Sequence, residues 1–260
     1  MDPYELESFA RDLRSALGDL VARGVRQERT DALPEAAPTP PHDRGEAVSA
    51  WSDIARGARS SEPTGGAAIR AIREELGDCK RCDLCRTRTK LVFGVGSPNA
   101  DLVVVGEGPG HQEDLQGEPF VGPAGQMLDN MLAKVVGVPR PEAYILNVVK
   151  CRPPRNRNPL PAEVAACQPF VAAQIRALQP KIILVLGSVA YKTLMATSEG
   201  ITRARGRWQI YRDPSSELAV PVMPTFHPAY LLRKPEDKRL TFADLKAVRQ
   251  RYDDEGGRRS

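Results

Sequence analysis

The 260-residue chain is 41% hydrophobic and 27% charged, with a formal net charge of +4. That length accommodates one α/β domain of ordinary size plus an extension, and no apolar run nears the roughly 20 residues needed to cross a bilayer. The N-terminal MDPYELESFARDL lacks the basic-then-apolar order of a secretion signal, so a cytoplasmic chain without membrane attachment is expected, in which cysteines are ligands or catalysts rather than disulfides.

Charge is uneven along the chain. Residues 1–70 hold 9 Lys and Arg against 12 Asp and Glu, a net of −3, which leaves +7 on the other 190. A modest basic surplus of that kind suits a polyanionic partner. Residues 1–25 are expected to form an amphipathic helix, because Leu6, Phe9, Leu13, Leu17, Leu20 and Val21 share one face and Gly24 supplies a stop. A lone helix is marginal in water, so this one self-associates, rests on the domain or docks a protein partner. Residues 26–66 are dense in Pro, Ala, Gly, Ser and charge, including Pro38-Thr39-Pro40-Pro41, and read as a disordered linker. The compact domain is expected over 67–252, followed by a flexible tail at 253–260.

Within the domain, residues 69–76 read as a short helix leading into the first cysteines, and 101–106 as a buried strand. A helix is expected over 124–136 with Met127, Leu128, Met131, Leu132 and Val135 inward, then a strand over 144–149. Pro161 suits the first turn of a helix running to 178. A strand over 181–187, a helix over 189–195, a strand over 219–226 and a helix over 241–251 complete the series. Alternating strands and helices predict a mostly parallel sheet with helices on both faces and functional loops at the carboxyl ends of the strands. Three of those ends carry unusual residues: Glu107 among its glycines, the run from Asn147 to Arg152, and Phe226-His227-Pro228. Such a sheet brings them to one edge.

The cysteines have the most telling spacing. Cys79, Cys82 and Cys85 run as C-x2-C-x2-C, and Cys151 and Cys167 follow. Four thiolates so spaced suit tetrahedral zinc or a four-iron cluster equally well, with one thiol left over that spacing does not identify. Between the two groups lies Gly106-Glu107-Gly108-Pro109-Gly110, which serves as a tight turn or as a close backbone approach to a ligand. Pro109 and the spacing depart from the dinucleotide-binding fingerprint. Glu113, Asp114 and Gly117-Glu118-Pro119-Phe120-Val121-Gly122 follow, where carboxylates beside glycines suit water activation or cation stabilisation, or form a solvated acidic loop. Lys150 to Arg157 is a basic, proline-stiffened loop of the kind that contacts phosphates. After His227, Leu231 and Leu232 precede Arg233 and Lys234, so apolar tips beside cations are available to wedge into a base stack.

Together these residues resemble the family-4 uracil-DNA glycosylases, the iron–sulfur branch of the uracil-DNA glycosylase superfamily. The matching stretches are CKRCDLCRTRTKLVFGVGSPNADLVVVGEGPG, GEPFVGPAGQMLDNML, YILNVVKCRPPRNRNPLPAEVAAC and MPTFHPAYLLRKP, which cover about Cys79 to Pro235. The resemblance implies a three-layer α/β sandwich around a four-stranded parallel sheet. It also implies a structural [4Fe-4S] cluster on Cys79, Cys82, Cys151 and Cys167, matched by distance to Val92-Phe93-Gly94, with Cys85 spare. The implied reaction is hydrolysis of the N-glycosidic bond of uracil flipped out of single- or double-stranded DNA, by a monomer. Phe120 matches the aromatic that stacks on the base, Asn147 the amide that pairs with its polar edge, and Gly108 lies in the backbone that approaches it. His227 matches the histidine near uracil O2, Leu231 the wedge, and Arg152, Arg155, Arg157 and Arg233 the contacts to DNA. Where the best-known glycosylases of the superfamily carry a water-activating Asp, this chain has Gly108. Glu113 is favoured for water or oxocarbenium stabilisation and Glu107 for uracil contact. No His or insertion lies between Lys150 and Cys167, so ordinary turnover is expected rather than covalent trapping of DNA. The competing readings are a non-catalytic nucleic-acid-binding protein built on a four-cysteine metal site and a zinc-dependent interaction module.

Overall fold

The computed structural model describes residues 64–257. The expected N-terminal helix and all but the last residues of the expected linker lie outside the described residues, as do the last three residues of the chain. The first described helix, α1 (Gly65–Leu76), starts before the predicted boundary and packs on α4 (Pro161–Leu178).

One six-stranded sheet forms the middle layer, in the order β1-β3-β2-β4-β6-β5. Its centre is the expected parallel set of four: β3 (Tyr144–Asn147), β2 (Leu102–Gly106), β4 (Ile182–Leu186) and β6 (Ala219–Thr225). Two antiparallel edges extend it beyond four strands: β1 (Val95–Gly96) on β3, and β5 (Gln209–Arg212) on β6. All residues of β2 and β4 are buried, which is why they read as continuous apolar runs rather than as alternation.

Strand geometry sends alternate residues to opposite faces. Leu102, Val104, Ile145, Leu184 and Met223 enter one core, against α3 (Pro123–Met131), α7 (Pro228–Arg233) and α8 (Lys238–Asp254). Val103, Val105, Leu146, Ile183 and Val222 enter the other, against α4 and α5 (Ser188–Met195). The predicted helix over 124–136 is divided: after Met131 the turn widens into a π-helical segment, Leu132–Val136, which packs on α8. The last helix is longer than predicted at both ends, and Lys181 Nζ then donates to the carbonyls of Glu255 and Gly256 at 2.9 and 2.6 Å. Residues 253–257 therefore continue the domain.

Three short helices, α7 among them, have no counterpart in the expected series. α2 (His111–Gln116) follows the glycine turn directly, and α6 (Ile201–Ala204) precedes β5. The parallel set places the ends of β3 and β2 side by side, as the register Gly106↔Asn147 shows, and the end of β6 on the same edge beyond β4.

Candidate active site

The turn after β2 is shaped by what a side chain would strike there. A Cβ on Gly106 would lie 2.4 Å from Asn147 Oδ1 and 2.5 Å from the Phe120 ring. Only glycine lets the amide at the end of β3 and this aromatic face both come so near the backbone. Asn147 is 2% exposed, and its Oδ1 is buried without a hydrogen-bond partner. Leaving such an acceptor bare costs about 1–3 kcal/mol. Lys150, 1% exposed, holds the same residue from behind by donating from Nζ to the Asn147 carbonyl at 2.9 Å. Burial depresses that ammonium to about 7, with Cys167 partly offsetting the shift. Sequence alone assigned Lys150 to a basic surface; the structure buries it.

Phe120 is itself buried and has φ 55, a left-handed conformation rare for an aromatic residue. Its ring stacks near His227, with centroids 5.5 Å apart and planes inclined by 28°. Glu113 Oε1 accepts from the N–H groups of Val121 and Gly122 at 3.0 and 3.3 Å. The carboxylate expected to serve water or a sugar cation therefore also fixes the loop carrying the stacking ring. Glu107, by contrast, is partly buried, and burial pushes its carboxyl above the ordinary range. Its main-chain carbonyl accepts from Val149 N–H at 3.2 Å, beside Gly108.

His227 caps α7. Its Nδ1 accepts from Ala229 N–H at 3.1 Å, which leaves the ring proton on Nε2. Burial lowers its pKa to about 4, assisted by the positive charge of Arg233 and opposed by Glu113. The ring is thus a neutral Nε2–H donor near neutral pH, with the Glu113 charge in its surroundings. Beneath it, Thr225 Oγ1 donates to Asp244 Oδ2 at 2.6 Å, and Arg205 pairs with the same carboxylate and lies 5.5 Å over the Phe226 ring.

The wedge expectation needs correction. Leu231 is 1% exposed and belongs to the core, because α7 turns it toward the sheet. Leu232 is 45% exposed and occupies the outer face beside Arg233. Of the three loop arginines, Arg155 is exposed on a left-handed backbone, φ 56, next to Asn156 at the same φ. Arg152 donates to Asn156 Oδ1 at 2.7 Å, and its Nη1 lies 3.0 Å from His111 Nδ1. Arg157 makes a two-pronged bond to Glu163, at 2.8 and 2.6 Å, and Glu163 in turn accepts from Leu160 N–H at the start of α4. Arg157 is therefore engaged in a helix cap rather than offered to a phosphate.

Cys79, Cys151 and Cys167 are buried, Cys82 and Cys85 partly so, and none is in a disulfide. Burial pushes the Cys151 thiol up to about 11, Arg88 opposes that rise, and Cys167 and Cys82 add to it. Burial likewise raises Cys167, with Cys82 and Cys79 contributing, and raises Cys82, where Cys85 is the weakest of the neighbouring influences. Cys79, Cys82, Cys151 and Cys167 thus lie near enough to influence one another's charge. Arg88 Nη1 donates to Cys151 Sγ at 3.1 Å and to the Cys79 carbonyl at 2.8 Å, joining the two halves of the set, and its other arm pairs with Asp78. Arg81 Nη1 lies 3.5 Å from Cys79 Sγ, with its guanidinium over Phe170. Neither arginine was singled out from sequence; both stand between or beside the first cysteines, where a charge run reads as surface.

The uracil DNA glycosylase superfamily matches residues 93–248 of this chain. The chain is 39% identical over 187 residues to the type-4 uracil-DNA glycosylase of Sulfurisphaera tokodaii, covering 70% of this chain and 84% of that one. It is 40% identical over 189 residues to the type-4 enzyme of Thermotoga maritima, covering 71% and 95%. With that of Archaeoglobus fulgidus it shares 40% over 179 residues, covering 68% and 89%. The glycine turn, Asn147, Cys151, Cys167 and the capped His227 all fall within the residues matched by the superfamily, with Cys79 and Cys82 just ahead of them, and the chain belongs to the type-4 branch of the uracil DNA glycosylase superfamily.

Proposed function

We propose that this protein excises uracil from DNA by hydrolysing its N-glycosidic bond, leaving an abasic site for base excision repair, and that it acts as a cytoplasmic monomer. The observation that carries the reading is the orphaned Oδ1 of Asn147, buried between the glycine turn and Phe120. An acceptor left bare at such cost is explained by a ligand that brings a donor, and uracil N3–H is one. Cytosine presents an acceptor at that ring position and would leave the oxygen unpaired. A purely DNA-binding protein would gain nothing from it.

In the reaction the C1′–N1 bond breaks and its electron pair leaves with the base. His227 Nε2–H donates to uracil O2 as negative charge gathers there, in a site where burial strengthens the bond. The Glu113 charge beside His227 stabilises the cationic sugar. Glu107, with its raised carboxyl and position on the turn, takes the proton of the water whose oxygen bonds C1′. This moves the water from Glu113 to Glu107, because one Glu113 oxygen is committed to two backbone N–H groups. Phe120 stacks on the base, Leu232 fills the vacated stack, and Arg152, Arg155 and Arg233 meet the DNA backbone.

Cys79, Cys82, Cys151 and Cys167 suit a [4Fe-4S] cluster. Their donor chemistry is all thiolate, and they influence one another electrostatically. Yet among the described residues no three His, Cys, Asp or Glu side chains converge closely enough for a single ion. When bound, the cluster supplies a covalent tie between residues 79–82, the end of β3 and α4, which holds the Arg152–Arg155 loop in place. Uracil-containing oligonucleotide, single- and double-stranded, treated with the protein and then alkali tests the function. Strand breakage at uracil but not at thymine or hypoxanthine is the expected result; none at uracil would refute it.

A further inference from the structure

Phe120 sits in a backbone conformation that an aromatic residue does not adopt unaided. Four successive main-chain groups around it are held by two side chains. Glu113 takes the N–H groups of Val121 and Gly122. Arg140, from the loop before β3, takes the carbonyls: Nη2 lies 2.5 Å from Pro119 O and Nη1 lies 3.1 Å from Phe120 O. Asp129 on α3 orients that guanidinium, 3.1 Å from Nη1. The same carbonyl of Phe120 rests on Gly125, where a Cβ would lie 1.8 Å away. The planar fork of Arg140 fits two adjacent carbonyls at once, which a lysine cannot match.

We infer that Arg140, braced by Asp129, is a positioning residue that holds Phe120 in its left-handed conformation and so sets the ring against Gly106 and His227 for stacking on the base. The inference rests on the reading that Phe120 stacks on uracil. Without Arg140 the carbonyls of residues 119 and 120 lose their fixed donor, and residue 120 is free to return to negative φ. The ring then leaves its place, while Asn147 and His227, held by β3 and α7, keep theirs. Misplacement of about 1 Å in such a site costs on the order of 100-fold in rate.

The test is a double-mutant cycle in the full-length, cluster-loaded protein: Arg140→Ala, Phe120→Ala and both together. Single-turnover excision from a uracil oligonucleotide and inhibition by free uracil are the readouts. Arg140→Ala is expected to slow excision about 10- to 100-fold and weaken uracil inhibition by a similar factor, with Arg140→Lys intermediate. The double variant is expected to be no slower than Phe120→Ala. An Arg140→Ala penalty of equal size in the Phe120→Ala background would overturn the inference. Should Arg140→Ala fail to fold, Asp129→Asn carries the same cycle with a smaller penalty of the same sign. If Phe120→Ala excises uracil at the unaltered rate, the stacking reading fails instead. In that case a fluorine resonance from 4-fluorophenylalanine at position 120 decides the positioning role: broadening or displacement on Arg140→Ala supports it, and an unchanged line refutes it.

Discussion

Replacing Asn147 by leucine should separate stability from activity. The side chain is 2% exposed, its Oδ1 has no partner, and Gly106 and Phe120 press on it from one side. Leucine has nearly the same branched outline without the polar atoms. Relief of the bare acceptor gains about 1–3 kcal/mol, and imperfect packing of the extra methyl volume costs about 1 kcal/mol or a little more. The net is a protein as stable as the wild type or up to about 2 kcal/mol more so. Activity should move the other way. In the proposed complex the amide would make two hydrogen bonds to the uracil edge in a dry pocket, together worth about 3–4 kcal/mol, or roughly 10²- to 10³-fold in excision. Chemical denaturation followed by circular dichroism gives the first quantity, and single-turnover cleavage of a uracil oligonucleotide the second. A loss of more than about 2 kcal/mol in stability would refute the reasoning, since it would mean that the amide is already paid for by contacts within the protein. Full retention of excision would refute the pairing role.

The remaining predictions use the same logic. Because His227 titrates near 4 in the fold against about 6.5 unfolded, the folded protein binds fewer protons between those values. Stability should be flat above pH 6.5 and fall by about 3 kcal/mol toward pH 4 from this group, a slope that His227→Gln removes in pH-dependent melting. The neutral ring is the working form, so His227 should not itself limit excision down to about pH 5, and any fall on the acid side above that belongs to Glu107; an acid limb that disappears in His227→Gln would contradict this. Glu113→Gln keeps an oxygen for the two loop N–H groups and should slow excision less than Asn147→Ala or His227→Ala. Cys167→Ser should abolish the visible colour and bound iron of the purified protein, whereas Cys85→Ser should preserve both. A chain starting at residue 64 should fold and excise uracil normally, and no denaturation-resistant DNA adduct should form; loss of fold in that chain would place the domain boundary upstream.

The central fold was legible because its strands are apolar on both faces. Residues 102–106 and 182–186 admit no other reading at that length between Gly and Pro punctuation. The edges were not. β1 has two residues, and β5 buries only Tyr211, so neither carries a period to detect. Asn147, Phe120 and His227 stand out through their motifs, and the fold brings Asn147 and Phe120 to one glycine and Phe120 to His227, yet their supports carry no such mark. Arg140 stands between two prolines in the sequence with no pattern to mark it, and its partners come from 21, 20 and 11 residues away. Leu231 and Leu232 are adjacent, and only the turn of α7 decides which one faces solvent. Lys150 reads as part of a basic loop and Arg88 draws no notice, because burial of a cation depends on partners that come together only in the fold.

The bond between Arg157 and Glu163 has a consequence for how long the protein stays on undamaged DNA. Each cation that displaces a condensed counterion adds to the salt-sensitive hold on any sequence. With Arg157 committed to α4, the loop offers fewer such cations than its composition advertises. Removing Arg155 should lower the slope of log affinity against log salt by about 0.9, and removing Arg157 by much less. A repair protein that must sample very many ordinary bases for each lesion is served by a light grip. The traffic between sites is then quick, and commitment is left to the pocket rather than to the groove.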